Sequence, residues 1–337
     1  MLCHGQIQQI QQCFEQSKQP IAERIQVAIG QLLPISSSIP LPAQGKTYQR
    51  WQILSVIAAI NLNVAKIFES HLDALAILQE LGEQPIDANN ALYAVWAAEG
   101  SPRPLQLHES NQTISGTKQW CSAALEVKYG LITYRNPAQQ SQLVLVDMDQ
   151  NNIGIEQQHW HAVGMQHTAT ANIHFDQTSV QLIGQPQDYL KRAGFWHGAA
   201  GVAACWHGCS VKLAQYLQRA TAQKPHAFKH FYLGEISTAL AQNKILFQYV
   251  AQLIDATPLE THELMIRMLR ARIEEVATQV LNTVGQALGA APFCLNEDFA
   301  QAYADLTVFI RQSHAAFDLQ QIAELTLQQD QEQLWQL

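Results

Sequence analysis

The feature that most constrains the fold of this chain is a change in the spacing of its apolar residues. Before about residue 99 and after residue 188, apolar residues recur every three to four positions, as in WQILSVIAAINLNVAKIFES (51–70), which is typical of amphipathic helices. Between these regions, runs such as YGLITY, QLVLVDM and ANIHFD alternate with turn clusters, which is typical of strands. This order predicts helices, then an all-β segment, then helices again. It shows neither a βαβ rhythm nor a G-x-G-x-x-G motif, so a Rossmann cofactor site is not expected.

We therefore predict an α+β multidomain protein with three domains. These are an N-terminal α-helical domain at 1–99, a central antiparallel β domain at 100–187 and a C-terminal four-helix bundle at 188–337. Helices are expected in the N-terminal domain at 6–32 and 50–82, with helical character continuing to about residue 98. Those of the C-terminal bundle are expected at 190–221, 226–255, 260–289 and 297–317, before a polar tail.

Composition excludes some classes of partner. The 337 residues are 47% hydrophobic and carry a net charge of −8, so the chain can bury a large core but lacks the basic surface that nucleic acid or anionic membrane requires. No uncharged apolar stretch reaches about 18 residues, so no membrane span is predicted. Six scattered cysteines and the absence of a secretory leader predict a cytoplasmic protein with free thiols.

The spacing of potential ligands and nucleophiles predicts neither a metal site nor a hydrolase triad. Cys205 and Cys209 would share one face of a helix, but His207 would point about 200° away from them. No third ligand lies near in sequence, so no metal site is expected. The chain also lacks the G-x-S-x-G motif of α/β-hydrolases, so hydrolysis by a Ser-His-Asp triad is not expected.

Four segments carry a resemblance to a known family. They are NVAKIFESHLDALAILQELG (63–82), ISGTKQWCSAALEVKYGLITY (114–134), VGMQHTATANIHFDQTSVQLIGQP (163–186) and GQALGAAPFCLNEDFAQAYADLTVFIRQSH (285–314). In residue type and in order along the chain, they resemble the acyl-CoA dehydrogenase superfamily of flavoproteins. The resemblance covers almost the whole chain, and it implies the same succession of helical, β and helical domains.

The resemblance implies a cofactor and residues that bind it. In the family, a G-x-K-x-W-[IC]-[ST] strand contacts the flavin ring, which places Trp120, Cys121 and Ser122 at the ring. Gln286, Gly289 and Ala290 resemble the loop that binds the adenine and diphosphate of FAD across a subunit interface. The resemblance therefore implies FAD, with FMN as the alternative flavin, and a homodimer or homotetramer. From the residues alone, Trp120 is more typical of a core position beside a strand, and Gly289 is also consistent with an ordinary helix cap.

The sequence departs from the family where the family's dehydrogenases carry a catalytic glutamate. In most dehydrogenases of the family the glutamate lies shortly after the fourth segment's motif, and that place holds Ser313 and His314 here. In others it lies in the first helix of the C-terminal bundle, where this chain has no acid, because no Asp or Glu lies between Asp188 and Glu235. In flavin monooxygenases of the same fold, a histidine or serine hydrogen-bonds the oxygenated flavin. Ser313 and His314 are candidates for that role, and His197, in FWHGAAG (195–201), is a candidate for contact with substrate.

Three functions stay open on this basis. The first is an FAD-dependent, acyl-CoA dehydrogenase-like oxidoreductase that acts on an acyl thioester or related small molecule, with a displaced base and a separate electron acceptor. The second is a monooxygenase that depends on reduced flavin from a flavin reductase. The third is a non-catalytic member of the family.

Overall fold

The chain divides into two compact units in a computed structural model that describes residues 2–157, 161–329 and 335, with only the backbone for residues 2–4. The first unit contains Met1–Leu41 and Asn63–Phe195, and the second contains Pro42–Leu62 and Trp196–Leu337. No helix among these described residues is both long enough and apolar enough to cross a membrane.

The first unit combines helices with a β sandwich. Its helices are α1 (Leu2–Gln16), α2 (Ile21–Leu32), α4 (Leu62–Glu80) and the short α5 (Asp188–Lys191), with a 3-10 helix at Leu33–Ser38. Its strands are β1 (Tyr93–Trp96), β2 (Gln106–His108), β3 (Thr113–Cys121), β4 (Tyr129–Arg135), β5 (Ser141–Asp147), β6 (Ile153–Glu156), β7 (Ala171–Ser179) and β8 (Gln181–Ile183).

The strands form two four-stranded sheets. The first sheet has the order β1-β4-β5-β8 and the second has the order β2-β3-β7-β6. All recorded pairings are antiparallel except that of β1 with β4, which is parallel. The longest pairing joins β3 to β7, and register shifts interrupt it between Lys118 and Cys121. The pairing therefore becomes irregular at Trp120.

Helix α4 covers the first sheet. Its apolar residues, including Ile77 and Leu78, pack in one buried cluster with Tyr93 on β1, Leu131 on β4 and Leu143 on β5. Residues on α4 recur at helical spacing and the strand residues alternate, so one face of each element meets the other. Burial of this apolar area is what holds the sheet to its helix.

The second unit is helical. Its elements are α3 (Thr47–Ile60), α6 (Gly194–Gln223), α7 (Ala227–Ala256), α8 (Glu263–Leu288), α9 (Ala291–Leu295), α10 (Glu297–Phe309) and α11 (Ala316–Thr326). The carboxylate of Asp255, at the end of α7, accepts hydrogen bonds from the N–H groups of Gly45 and Thr47 at 3.0 Å each. It thereby satisfies donors at the N-terminus of α3, where a negative charge also suits the helix dipole. Trp51 of α3 packs edge-on against Phe247 of α7.

The fold class predicted from the sequence is confirmed, and several element boundaries are corrected. The helix expected at 6–32 is two helices separated at Pro20, and that expected at 50–82 is two helices separated at Asn61. The expected helical character up to residue 98 is wrong, because β1 already occupies Tyr93–Trp96. The tail after residue 317 was also wrongly predicted, since α11 is helical over Ala316–Thr326.

Candidate functional site

Trp120 lies at a distorted position near the end of β3. Its φ is 62°, in the left-handed region that bulky residues rarely adopt, and its side chain is 60% exposed. A backbone outlier of this kind costs about 1–3 kcal/mol and persists only where the surroundings impose it. Here the register shift on β7 turns the indole away from the sandwich core, which is how bulges redirect side chains.

Beside Trp120, hydroxyl groups from two segments meet. Thr170 Oγ1 lies 2.9 Å from Thr168 Oγ1 and 3.5 Å from Ser122 Oγ. Thr168 Oγ1 in turn donates to the carbonyl oxygen of Met165 at 2.7 Å. Since Thr168 uses its one hydrogen on Met165, Thr170 donates to Thr168. The Ser122 hydroxyl, 3.5 Å from Thr170 Oγ1, has no acceptor at ordinary O–H···O distance among the described residues. Ser122 is therefore able to donate to a ligand.

The backbone around this hydroxyl cluster is fixed by further hydrogen bonds. Trp96 Nε1–H donates to the carbonyl oxygen of Ser122 at 3.0 Å, and the N–H of Ala123 donates to the carbonyl oxygen of Thr168 at 2.7 Å. These bonds tie the end of β3 both to β1 and to the segment before β7. The hydroxyls therefore project from a supported backbone rather than from a free loop.

A pocket of about 190 Å³ opens at this place, and its lining is Gln119, Trp120, Glu156, Gln157, Thr170, Ala171 and Asn172. An indole supplies a flat apolar wall at low conformational-entropy cost, and the amide and hydroxyl groups supply donors and acceptors. This combination suits the edge and one face of a flat heterocycle with polar ring atoms.

The side chain of Cys121 points away from solvent. It is fully buried, and its Sγ donates to the carbonyl oxygen of Lys118 at 3.5 Å. Burial raises the pKa of this thiol well above its usual range. Trp120 and Ser122 thus flank an inert thiol in the sequence. A cofactor-binding role for Cys121 stays a prediction, and it would involve the backbone of Cys121 rather than its thiol.

In the second unit, His197 is buried near the start of α6. Its Nε2 lies 3.0 Å from the carbonyl oxygen of Glu260, and since a carbonyl only accepts, Nε2 carries the proton. Its ring also lies beside that of His262, with centroids 6.2 Å apart. The structure therefore gives His197 a hydrogen bond that ties α6 to the loop before α8. Its predicted contact with substrate stays a prediction.

Ser313 and His314 lie between α10 and α11. Ser313 is buried, with Oγ accepting from the N–H of Ala315 at 3.3 Å, whereas His314 is exposed. The N–H of His314 donates to Asp318 Oδ2 at 3.0 Å. The His314 imidazole lies edge-on to the ring of Phe317, with centroids 6.5 Å apart, and no hydrogen-bond partner for its ring nitrogens is found among the described residues.

Arg267 of α8 connects this segment to the beginning of α6. Its Nη1 donates to Asp318 Oδ1 at 2.6 Å, and its guanidinium lies over the ring of Trp196 at 4.3 Å from the centroid. Asp318 also holds His314, and Trp196 precedes His197. Arg267 thus joins the two segments that carry the predicted catalytic histidines, and nothing in the sequence motifs singles it out.

Gln286, Gly289 and Ala290 lie together at the C-terminal end of α8, and all three are exposed. Gly289 has a φ of 66°, a left-handed conformation that glycine adopts at little cost. Its N–H donates to the carbonyl oxygen of Gly285 at 3.0 Å. A helix cap thus accounts for the conformation of Gly289, while the exposure of the segment leaves a binding role open.

Sequence reasoning missed three residues of the first unit's site, namely Trp96, Thr168 and Thr170. The two threonines stand at T-x-T spacing just before β7, but Thr168 ends a 3-10 helix at Gln166–Thr168 and Ala169 has a left-handed φ of 45°. No strand-like alternation could therefore predict that their hydroxyls meet. Trp96 contributes through its hydrogen bond to Ser122, which lies 26 positions away in the sequence, so no local pattern could predict it.

Comparison with known proteins identifies the fold. No family model matches the chain, and no curated protein sequence is significantly similar to it. Solved structures do match it over 96% of its length. TdsC from Paenibacillus sp. A11-2, in complex with FMN and indole, is 12% identical with a TM-score of 0.76, and 95% of its chain is covered. The methanesulfinate monooxygenase MsuC from Pseudomonas fluorescens is 14% identical with a TM-score of 0.74, and 94% is covered.

A third similar structure is the Tcur3481-Tcur3483 steroid ACAD, G363A variant, which is 12% identical to the chain with a TM-score of 0.75 over 97% of its own length. At sequence identities this low, the structural similarity of the three proteins to the chain establishes a shared fold and nothing more specific. The matching structures agree with the helical, β and helical order predicted from the sequence, and they confirm the resemblance at the level of architecture. The chain has the acyl-CoA dehydrogenase fold.

Proposed function

We propose that this protein is a flavin-dependent oxidoreductase. The observation that carries the proposal is the exposed indole of Trp120, held at a left-handed φ two residues before Ser122 and lining one pocket with Thr170. A strained, exposed aromatic residue next to a free hydroxyl donor is costly for a structure that does not use it. Both features suit a flavin, which has a flat tricyclic ring and polar atoms along its edge.

The residues present fit this cofactor. Trp120 would cover part of one ring face and Ser122 would donate to a ring-edge acceptor. Thr168 and Thr170 would bond to each other, which leaves the hydrogen of the Ser122 hydroxyl available to the flavin. A bound flavin would supply two-electron redox chemistry and, when reduced, reaction with O₂. Whether the flavin is FMN or FAD depends on the nucleotide end, for which Gln286, Gly289 and Ala290 are the proposed contacts on a second subunit.

Between the two enzymatic classes, we favour a monooxygenase that receives reduced flavin. Abstraction of a weakly acidic C–H proton needs an anionic base, and neither α6 nor the Ser313–His314 segment contains a carboxylate. His314 has an exposed imidazole that can donate or accept a proton, and Ser313 has a hydroxyl next to it. We assign these two groups to hydrogen bonding and proton transfer at the reacting atoms. MsuC is a monooxygenase by its description and TdsC is described in complex with FMN and indole, whereas the steroid ACAD represents the dehydrogenase alternative.

The two classes are distinguished by their use of oxygen. We expect the protein to bind reduced FMN or FAD and, with a flavin reductase and NADH, to convert added indole to an oxygenated product. The same protein should not be reduced by octanoyl-CoA under anaerobic conditions. Flavin absorbance, oxygen uptake and product mass measure these outcomes. Reduction by the acyl thioester would identify the dehydrogenase instead, and failure to bind any flavin would leave the non-catalytic function.

Variants of the assigned residues test the chemistry separately from binding. We expect His314→Ala to lower the yield of oxygenated product by about 100-fold, which is the low end for a removed acid or base, while flavin affinity changes little. His108→Ala is the control, since His108 is another exposed histidine and has no assigned part in the chemistry. An equal loss in both variants would contradict the role of His314.

We also propose that the chain forms a homo-oligomer through the beginning of α7 and the end of α8. These two ends lie side by side, because Thr283 Oγ1 donates to Glu235 Oε2 at 3.3 Å. Phe228 and Phe231 on α7 are 70% and 67% exposed, although phenylalanine is usually buried. The exposed Gln286–Ala290 segment lies at the same end of the helix pair, where the shared flavin contact would require it.

A charge at this surface should separate the subunits. We expect the wild-type protein to have at least twice the mass of one chain in light scattering, and Phe231→Glu to shift it to the monomer mass, because a buried unpaired carboxylate opposes association. Leu259→Glu is the control, since Leu259 is 93% exposed in the loop before α8 and lies at the other end of the helix pair. A monomeric wild-type protein would contradict this proposal without affecting that of the flavin site.

A further inference from the structure

Lys118 is a buried lysine that crosses between the two sheets of the first unit. It belongs to β3, is 4% exposed, and its Nζ donates to the carbonyl oxygen and to Oγ1 of Thr133 on β4, at 2.6 and 3.0 Å. Thr133 Oγ1 donates onward to the carbonyl oxygen of Ala97 at 3.2 Å. The ammonium group is therefore held in a fixed position at one end of the sandwich.

Only part of the hydrogen-bonding capacity of Lys118 is used, and its charge has no adjacent counter-ion among the described residues. An ammonium group has three N–H donors, and among the described residues only Thr133 accepts from it, through two oxygens. No described carboxylate forms an ion pair with it. Glu99, whose charge acts on Lys118, is already bound by Arg135 at 2.7 Å. A buried charge without an adjacent counter-ion is costly, so the position calls for an anion.

A cavity of about 490 Å³ lies next to this ammonium group. Volumes of this size are typical of small-molecule sites. Part of its lining is apolar, from Pro104, Leu105, Leu107 and Pro137, and Lys118, Thr133 and Arg135 supply its donors. The lining belongs entirely to the first unit, between residues 98 and 139, and shares no residue with the pocket beside Trp120.

We propose that this cavity binds a small organic carboxylate. The carboxylate accepts the third N–H of Lys118 and acts as its counter-ion, and the apolar part of the molecule lies against Leu105 and Leu107. A neutral molecule of the same shape cannot supply the charge, so the site distinguishes acids from their amides. This proposal does not depend on the flavin site, because all the groups that carry it are present without a flavin.

The protonation of Lys118 makes this binding sensitive to pH. Burial lowers the pKa of Lys118 to about 8, an effect that Glu99 and Cys121 partly offset and that the charge of Arg135 reinforces. The other titratable groups in the lining are Glu99, Glu109, Tyr134 and Arg135. A lysine is cationic below its pKa, so the free site carries its charge at pH 7 and largely loses it at pH 9. The affinity for a carboxylate should therefore fall about tenfold between these pH values.

Calorimetric titration of the full-length protein tests the proposal, with benzoate and octanoate as probes and benzamide and octanamide as their neutral analogues. We expect both acids to bind at pH 7, and the amides to bind at least about tenfold more weakly, since charge-assisted hydrogen bonds are the stronger kind. Repeating the titration with saturating FMN should leave the affinity unchanged. Binding of neither acid would overturn the proposal, whatever the outcome of the flavin experiments.

Three variants locate the binding. Lys118→Met keeps the length of the side chain without its charge, and should abolish both the preference for acids and the pH dependence. Leu107→Trp, on the edge strand β2, fills the cavity without touching the lysine and should also prevent binding. Lys128→Met is the matched control, because Lys128 already pairs with Asp147 at 2.8 Å. Equal affinities in the wild type and in both cavity variants would place the acids elsewhere and overturn the assignment.

Discussion

Replacement of Trp120 by alanine is expected to weaken flavin binding by about 5- to 150-fold. Stacking of a flat heterocycle on an aromatic side chain contributes about 1–3 kcal/mol, and each 1.4 kcal/mol corresponds to tenfold in Kd. The indole of Trp120 is the exposed flat surface of its pocket, so the loss should be concentrated there. Titration of FMN and of FAD, followed by quenching of flavin fluorescence, gives the Kd of each variant.

Two further variants separate stacking from general effects. Trp120→Phe keeps an aromatic face and should retain most of the affinity. Trp335→Ala removes another exposed tryptophan, 73% accessible, and should bind flavin like the wild type. Unchanged affinity in Trp120→Ala would remove the observation on which the proposed function rests. The fold assignment would stand, because it depends on the architecture as a whole.

Replacement of Gly208 by alanine is expected to cause the largest loss of stability. Gly208 lies on α6 where it crosses α3, and a Cβ at this position would lie 2.0 Å from the carbonyl oxygen of Ser55. The contact is with backbone, so only a shift of the whole helix can relieve it. Overpacking of a core costs typically 1–3 kcal/mol, and we expect about 3 kcal/mol here, measured as a lower urea midpoint by circular dichroism.

Gly234→Ala is the matched control for this variant. Gly234 lies within α7, and a Cβ there would meet nothing within 4 Å. Alanine is favoured over glycine in a helix by about 1 kcal/mol, so this variant should raise the midpoint. The same substitution thus has opposite expected signs at two helical positions. A midpoint for Gly208→Ala at or above that of the wild type would show that α3 and α6 do not approach as closely as described.

The agreement between sequence and structure is best where the signal is repeated along the chain. Strands β4, β5 and β7 lie where the runs YGLITY, QLVLVDM and ANIHFD predicted them, because several residues in each run independently indicate a strand. The prediction failed at Tyr93–Trp96, where helical periodicity was extended into β1. Four residues are too few to establish a period, and this strand exists because it pairs with β4 in parallel, which is a long-range contact.

The candidate site was only partly accessible to sequence reasoning. Trp120 and Ser122 were identified through a local motif, and that motif could not reveal the left-handed φ of Trp120 or the approach of Thr170 to the Ser122 hydroxyl. Arg267, Thr168 and Thr170 were missed because their roles depend on partners that lie elsewhere in the chain. Lys118 was part of the quoted motif, but its buried, partly compensated charge became visible only from its distance to Thr133.

By itself, the sequence determined the order of secondary structure and the chemical types at the motif positions, because periodicity and residue identity are local properties. The tertiary structure alone decided which of these residues are strained, exposed, buried or hydrogen-bonded, since each of those states is set by contacts between segments far apart in the chain. This is why the fold follows from patterns of apolar residues, whereas the pocket beside Trp120 and the cavity beside Lys118 follow from strand pairing and sheet packing.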